Sequence, residues 1–525
     1  MPKAETTNET EKDFMTNNFA PHSRPVAEPQ RSITIPPVMS LTMAAEYDSD
    51  PHRLAGLYLH RRCFRIPDDL TLYYWRAEYW RWNGRRYLKI SKNELRAEIS
   101  REVKKEFNQL AAGKNPPERP KRVTSGLVSN VLQAASSIVL VPENEELPLW
   151  IGPSQDAKPF FSMANGLVDL AALVKGEGDP LHPHTPKWFT PVSFPYDYQP
   201  GAKCPTWLKF FDEVLEGDTE RINLLQEWFG YCLTPDTTQC KLMALEGEGA
   251  NGKSLVCEVL TALLGRDNVS NVPLEIFGER FQLTPTLGKL ANIASEIGEI
   301  HRIAEGQLKQ FTSGDRMYFD RKGIPGIEAY PTARLLFSTN QRPRFVDRSS
   351  GLWRRMILVP FRVTIPEERQ DKMLIDKLKS ELAGIFLWAI DGLRRLRTNG
   401  RFTEPVICKE ALDEYRIESN PCREFLQDHY EFNLAATTRT QGVYEHYVVW
   451  AKARQQVVLD KTQFGKEVIR AFPQVVKRKR GEREARYSEY VGLCPKPHQI
   501  LEDVPRINAP FPWMAPDKCP GVLGD

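Results

Sequence analysis

Apolar residues recur along this chain in two rhythms, and the order of those rhythms predicts an architecture. Leu255, Val256, Val259, Leu260 and Leu263 return at the spacing of one helix face. Just before them, KLMALEG (241–247) is a short apolar run suited to a buried strand. LANIASEIGEI (290–300) and TARLLFSTNQRPRF (332–345) read as two further buried strands, and DRSSGLWRRMILVPF (347–361) leads into a last one. Buried strands alternating with helical stretches predict a parallel sheet flanked by helices, an α/β core over 238–365.

The flanking segments carry other patterns. Residues 1–44 are polar and proline-rich and read as a disordered lead-in. An α+β domain is expected over 45–200. It would hold a hairpin in YWRWNGRRYLKI (79–90), turning at Asn83-Gly84, and an amphipathic helix over 92–110. A Pro/Lys/Arg linker, GKNPPERPKR, follows. Residues 201–237 form a helical collar, two helices joined at Gly217-Asp218, and 366–418 are again helical. Over 443–493 the pattern is helix, turn, helix and two strands about Gly481, with Phe464, Val468 and Phe472 on the inner face of the second helix. That order is a winged helix, placed at 419–495 and followed by a proline-rich tail over 496–525. The aromatics at 73–87 alternate in a hairpin, which favours packing on a sheet face over stacking on bases.

Composition narrows the class. A chain of 525 residues exceeds one core, and 41% hydrophobic with 26% charged residues describes a globular protein. No stretch approaches a membrane span and the N-terminus has no apolar signal region, so a cytoplasmic protein with no membrane partner is expected. Net charge is +3, so affinity for nucleic acid must come from local patches. Cysteines stand at 63, 204, 232, 240, 257, 408, 422, 494 and 519 without a C-x-x-C pair, which argues against a disulfide framework or zinc site. His182, His184 and Cys204 lack the tight paired spacing of metal ligands.

The chemistry centres on GEGANGKS. Gly247, Gly252, Lys253 and Ser254 fit G-x-x-x-x-G-K-[ST] between a strand and a helix, so Gly247, Glu248, Gly249, Ala250, Asn251, Gly252, Lys253, Ser254 and Leu255 are expected to cradle ATP. Lys253 would reach the β- and γ-phosphates and Ser254 would ligate Mg²⁺. Glu296, ending a strand, would hold Mg²⁺ through water or orient the attacking water, with Glu299 as the other candidate. Asn340 ends the next strand and could hold water or the γ-phosphate. Arg354 and Arg355 suit stabilisation of a transferring phosphoryl group, often in trans from a neighbouring subunit. Arg321-Lys322-Gly323 reads as a hairpin tip whose basic side chains would meet nucleic-acid backbone.

These elements, within about 110 residues, resemble a superfamily 3 helicase of the AAA+ class. More narrowly the chain is similar to the phage/plasmid/poxvirus primase–helicase family over about 160–495. GEGANGKS, NGLVDL (165–170), CPTWLKFFDEV…LLQEWFGYCL (204–233) and LKQFTSGD (308–315) match that family's motifs. The resemblance implies Glu296 as the Walker B acid, Asn340 as sensor 1, Arg354 or Arg355 as arginine finger, and Lys322 with Arg321 as the DNA grip. It also implies a homo-hexamer with ATP between subunits, moving 3′ to 5′ on one strand in its channel. Ser295 stands where many members carry a second acid, so Glu296 and Glu299 both remain candidates.

In the winged helix, Lys477, Arg478, Lys479 and Arg480 would touch duplex phosphates. Asp48-Ser49-Asp50 superficially matches the paired aspartates of a primase, but no convincing strand precedes it. A primase is expected on a separate protein. The sequence therefore predicts an ATP-dependent DNA helicase replicating a phage, plasmid or integrated mobile element, within a bacterial or viral replication complex. The alternatives are a nucleotide-gated DNA-binding or remodelling ATPase, or the helicase half of a primase–helicase. A bare P-loop enzyme such as a kinase would have no use for the basic hairpin and wing.

Overall fold

The aromatic residues of the N-terminal region turn inward. The computed structural model describes residues 47–65, 69–113, 117, 119, 121–152, 159–176, 178–295, 305–340, 342, 350–454, 456–481 and 486–496, and the backbone of a short strand at 32–33. Helix α1 (Pro51–Arg62) precedes an antiparallel meander of β1 (Leu72–Trp75), β2 (Glu78–Trp82) and β3 (Tyr87–Ile90). Tyr73, Trp75, Tyr79, Trp80, Trp82 and Tyr87 are buried and share one core with α1, α2 (Lys92–Ala111) and α3 (Ser125–Ile138). Trp80 and Tyr79 lie on opposite faces, so large rings are buried on both sides of the meander, and that burial is what stabilises so short a sheet.

Local signals set the element ends. Ser91 and Glu94 form a reciprocal capping box that starts α2. The Asn83 amide oxygen accepts from the backbone N–H of Arg85 and Arg86, both at 3.0 Å, and closes the turn between β2 and β3. The turn between β1 and β2 is tighter. Arg76 and Ala77 occupy it with φ of 48° and 65°, left-handed values usually left to Gly or Asn. The Asp48-Ser49-Asp50 stretch is structural: Asp50 caps α1 by accepting from the N–H of His52 and Arg53, and Asp48 pairs with Lys121 at 2.7 Å.

Helices α4 (Pro205–Val214) and α5 (Thr219–Cys232) meet at Gly217-Asp218, as their sequence predicts, with Asp218 capping α5. Between α5 and α7 (Leu382–Asn399) the backbones touch. A Cβ on Gly230 would overlap the Ala389 carbonyl oxygen, and one on Gly392 would overlap that of Gln226.

A parallel sheet comes next. β4 (Leu242–Glu246), β5 (Val269–Ser270), β6 (Ala291–Ser295) and β9 (Arg334–Thr339) run parallel in the order β5-β6-β9-β4, with α6 (Lys253–Leu264) following β4. The fold is thus mixed α/β around a parallel sheet. β9 is buried along its whole length. Its one charge, Arg334, lies over the Tyr231 ring at 4.4 Å and donates to the Thr234 carbonyl at 2.7 Å. Between β6 and β9 an antiparallel hairpin projects, β7 (Met317–Phe319) with β8 (Ile327–Ala329).

The described residues divide into two compact units, the larger holding those up to 295, 306–340 and 361–405, the smaller holding the others. The smaller unit contains β10 (Met356–Pro360) and α8 (Val406–Glu418). Then come α9 (Pro421–His429), β11 (Tyr430–Arg439), α10 (Thr440–Ala453), α11 (Lys461–Ala471), β12 (Val476–Arg480) and β13 (Tyr487–Pro495). Its antiparallel sheet has the order β11-β13-β12. Phe425, Tyr447, Trp450, Phe464, Val468 and Tyr490 fill the core, with Phe472 packed at its edge. β11 was not expected from sequence. Five consecutive residues from Glu431 to Ala435 are exposed and the register slips between Phe432 and Thr437, so no alternation marks it.

Candidate functional site

A glycine-dense loop and residues from strands β5 (Val269), β6 (Ile293) and β9 (Ser338 and Thr339) border one cavity. Gly249 (φ +126°), Ala250 (φ +46°) and Gly252 (φ +88°) curl the chain between β4 and α6. At Gly247 the backbone is hemmed in, since a Cβ would overlap the Asn251 amide nitrogen and the Phe361 carbonyl oxygen. At Gly252 a Cβ would stand 2.8 Å from Cζ of Phe210. Helix α6 opens at Gly252 without any side-chain cap, which leaves its first-turn N–H groups for an anion.

The cavity measures about 1160 Å³ and is lined by the larger unit alone. Gly249, Ala250, Asn251, Gly252, Lys253, Ser254 and Leu255 all border it; Gly247 and Glu248 do not. Lys253 is 4% exposed. Its Nζ donates to the Gly247 carbonyl at 2.6 Å and to Asn251 Oδ1 at 3.0 Å, and burial draws its pKa below the usual lysine value. Ser254 is exposed on the same wall.

Strand register brings the other wall. Thr339 stands opposite Glu246 and Ser338 opposite Ser295, so β4, β6 and β9 end at one level beside the loop. Ligands of open parallel sheets sit at such carboxyl ends. Asn340, one residue beyond β9, is exposed and lines the cavity with Ser338 and Thr339. Glu296 and Glu299 lie outside the described residues. Arg354 and Arg355 belong to the smaller unit. Arg354 is exposed, and Arg355 is half-buried with a guanidinium N–H donating to the Gly351 carbonyl at 2.7 Å.

Sequence reasoning missed part of this wall. Phe210 and Lys209 come from α4, and Ile365, Arg369, Lys372 and Lys377 from the stretch after 361. No local pattern in the sequence marks these residues as neighbours of the loop. Lys209, Lys253, Arg266, Arg369, Lys372 and Lys377 line the cavity against Glu213, Glu258 and Asp371. Arg369 pairs with Glu213 and Lys377 with Asp371, whose carboxylate that bond holds below its usual pKa. Cations exceed carboxylates six to three, a balance that suits a polyanion.

The two basic surfaces differ. In the β7–β8 hairpin Lys322 is exposed, whereas the Arg321 side chain is 7% exposed and joined to other residues. The sequence assigned both to DNA; Arg321 instead points into the protein, because Glu78 and two carbonyl groups claim its guanidinium. In the smaller unit Lys477, Arg478, Lys479 and Arg480 are all exposed along the edge strand β12. Arg480 pairs at 2.6 Å with Glu489, a carboxylate on β13 that is itself buried.

Comparison with known proteins gives three family matches. Residues 42–216 match the family described as D5 N terminal like, residues 245–355 a family of unknown function (DUF5906), and residues 420–497 the RFX DNA-binding domain. One curated relative, "Putative helicase L207/L206" of Acanthamoeba polyphaga mimivirus, is 23% identical over 223 residues. The aligned stretch is 38% of this chain and 23% of that relative, so the chain spans about a quarter of its length. Apo structures of the NrS-1 C-terminal region align over 84% of this chain and 99–100% of theirs, at 12% identity and TM-scores of 0.44 and 0.45. Each family match covers a segment of the chain, none of them as much as half of it, and the relative carries the name of a putative helicase. No helix among the described residues is long and apolar enough to cross a membrane.

Proposed function

We propose that this chain is an ATP-driven DNA helicase of superfamily 3 type, serving replication of a phage, plasmid or mobile element. The observation that carries the reading is the cavity between the glycine-dense loop and the end of β9. Its loop leaves no room for side chains at Gly247 and Gly252, and it presents a buried cation, an uncapped helix and a hydroxyl on one wall. A triphosphate fits that donor set. Lys253 would hand its ammonium from the Gly247 carbonyl to the β- and γ-phosphates, and the first-turn N–H groups of α6 would bind the same chain. Mg²⁺, held by Ser254 and Glu296, would supply charge neutralisation at the phosphates when bound. Asn340 would position the attacking water, and Arg354 or Arg355 would reach a neighbouring subunit's γ-phosphate in a hexamer.

Nucleic acid is assigned to two surfaces. Lys322, exposed at the hairpin tip, would grip one strand in the ring channel. The helix–strand–helix–helix–strand–strand order of 421–495 supports a winged helix, and the RFX DNA-binding match over 420–497 supports duplex contact by Lys477–Arg480.

The test is strand displacement on a duplex with a single-stranded 3′ tail, with Lys253→Ala beside the wild type. ATP-dependent separation lost in the variant supports the motor and reads its polarity. DNA-stimulated ATP hydrolysis without separation makes the protein a remodelling ATPase. Hydrolysis indifferent to DNA overturns the proposal.

A further inference from the structure

One side chain ties the β7–β8 hairpin to the N-terminal meander. Arg321 Nε donates to the Pro325 carbonyl at 2.8 Å, across its own loop. Its Nη1 donates to the Arg76 carbonyl at 3.0 Å and stands 3.7 Å from Glu78. Both ends of this link are braced. Arg76 sits in the left-handed β1–β2 turn, where its Nε donates to the Glu143 carbonyl at 3.1 Å and its guanidinium pairs with Glu146 at 2.5 Å. Glu78 is held by Lys89 at 2.6 Å, and Lys89 lies over the Trp80 ring. On the hairpin, Asp320 pairs with Arg280 at 3.0 Å and its carbonyl accepts from the Thr284 hydroxyl. A cleft of about 630 Å³ runs beside the link, with Trp80 and Glu78 on the meander and Ile327 and Ala329 on β8 among its walls.

The geometry suits arginine and no other residue. A planar fork offers donors in fixed directions, so one guanidinium serves two carbonyl oxygens and a carboxylate together. An ammonium is a point charge and would satisfy one of them at a time. The Arg321 side chain is largely covered while Glu78 is a quarter exposed, and losing the arginine would leave two carbonyl groups without their donor. Lys322 next door is exposed, as is Tyr318 on β7 at 62%. Adjacent residues thus face opposite ways: one inward to the meander, one outward.

We propose that Arg321 is a positioning residue that couples the hairpin to the N-terminal meander, so that the two move as one lever while Lys322 meets the nucleic acid. The part given to Lys322 rests on the helicase reading; the coupling does not.

Hydrogen exchange on the full chain tests the coupling. Arg321→Ala should raise exchange at least tenfold both in the turn at 76–78 and in the hairpin at 317–329, with α6 unchanged. Arg321→Lys should behave like Arg321→Ala. Exchange raised in the hairpin alone would overturn the coupling. Salt dependence of single-strand binding separates the neighbours: Lys322→Ala should flatten log K against log salt by about 0.7, while Arg321→Ala should leave the slope unchanged. A flattened slope for Arg321→Ala, restored by Arg321→Lys, would make it a phosphate contact and overturn the proposal. Strand displacement should fall at least tenfold in Arg321→Ala. If the wild type displaces no strand the helicase reading fails, and the exchange result still decides the coupling. Should Arg321→Ala not fold, Glu78→Gln should raise exchange in the same two segments; no rise there overturns the proposal.

Discussion

The ammonium of Lys253 lies 2.6 Å from the carbonyl oxygen of Gly247, so the first residue of α6 reaches back to the start of the loop that precedes it. With Asn251 Oδ1 at 3.0 Å as a second acceptor, the cation is satisfied by the loop itself. An anionic ligand that takes over those bonds releases both acceptors and gives the buried ammonium a counter-charge.

Lys253→Ala should therefore lower ATP turnover at least a hundredfold, about 2.7 kcal/mol of transition-state stabilisation. Denaturant unfolding should show little loss of stability, because removing a buried, partly desolvated cation relieves its own cost. A turnover within tenfold of wild type would remove the lysine from the site.

Gly252→Ala should weaken nucleotide binding more than tenfold and destabilise the fold by about 2 kcal/mol. A left-handed φ of +88° costs an alanine roughly 1–2 kcal/mol, and its Cβ would stand 2.8 Å from the Phe210 ring. Calorimetric titration with nucleotide and urea denaturation measure the two effects separately. Phe210→Ala combined with Gly252→Ala should recover part of the binding loss, because the ring is one of the two obstacles.

On β12 the two lysines and Arg480 should behave differently. Replacing Lys477 and Lys479 with alanine should flatten the salt dependence of duplex binding by about 1.8 in log K per log salt if both meet phosphates. Arg480→Ala should instead cost about 1 kcal/mol of stability, since the buried Glu489 carboxylate would lose its partner at 2.6 Å. Binding isotherms across a salt series, with thermal unfolding alongside, distinguish the two.

Acid should destabilise the smaller unit through His446. Burial, helped by His429 beside it, lowers its pKa from 6.5 to about 4. Between those values the unfolded chain binds a proton that the folded chain refuses, so stability falls as pH drops from about 6.5 towards 4. The loss is at most about 3 kcal/mol. Its imidazole Nδ1 lies 2.9 Å from the Tyr430 hydroxyl, and His446→Gln keeps a polar partner there without the titration. Unfolding free energies measured at steps from pH 7 to pH 5 should slope down in the wild type and less so in the variant.

The core elements were legible because they are local. The apolar run at 242–246, the helical spacing after Lys253 and the glycines between them are each set by neighbours in sequence, and the structure has all three. The joint at Gly217-Asp218 was legible for the same reason, as a turn residue followed by a cap. What escaped sequence reasoning depends on distant partners. No pattern at 205–214 announces that Phe210 abuts Gly252, and nothing in Arg321-Lys322 separates two adjacent basic residues. The separation comes from the Arg76 carbonyl, 245 positions earlier than Arg321 in the chain, which accepts from its guanidinium, with Glu78 as an ion-pair partner at 3.7 Å. β11 escaped because its exposed, register-slipped stretch breaks the alternation by which strands are read.

The pairing of Glu246 with Thr339 and of Ser295 with Ser338 has one more consequence. Each strand residue advances the chain by about 3.3 Å, so inserting two residues into β9 would keep its buried face inward yet lift Asn340 by roughly 7 Å relative to the loop at 247–252. Such an insertion would leave the core apolar and the fold intact while parting two walls of the cavity. The spacing of the reactive groups is therefore measured out by the backbone ladder, which acts as a ruler that tolerates substitution along its length but not a change in the count of its divisions.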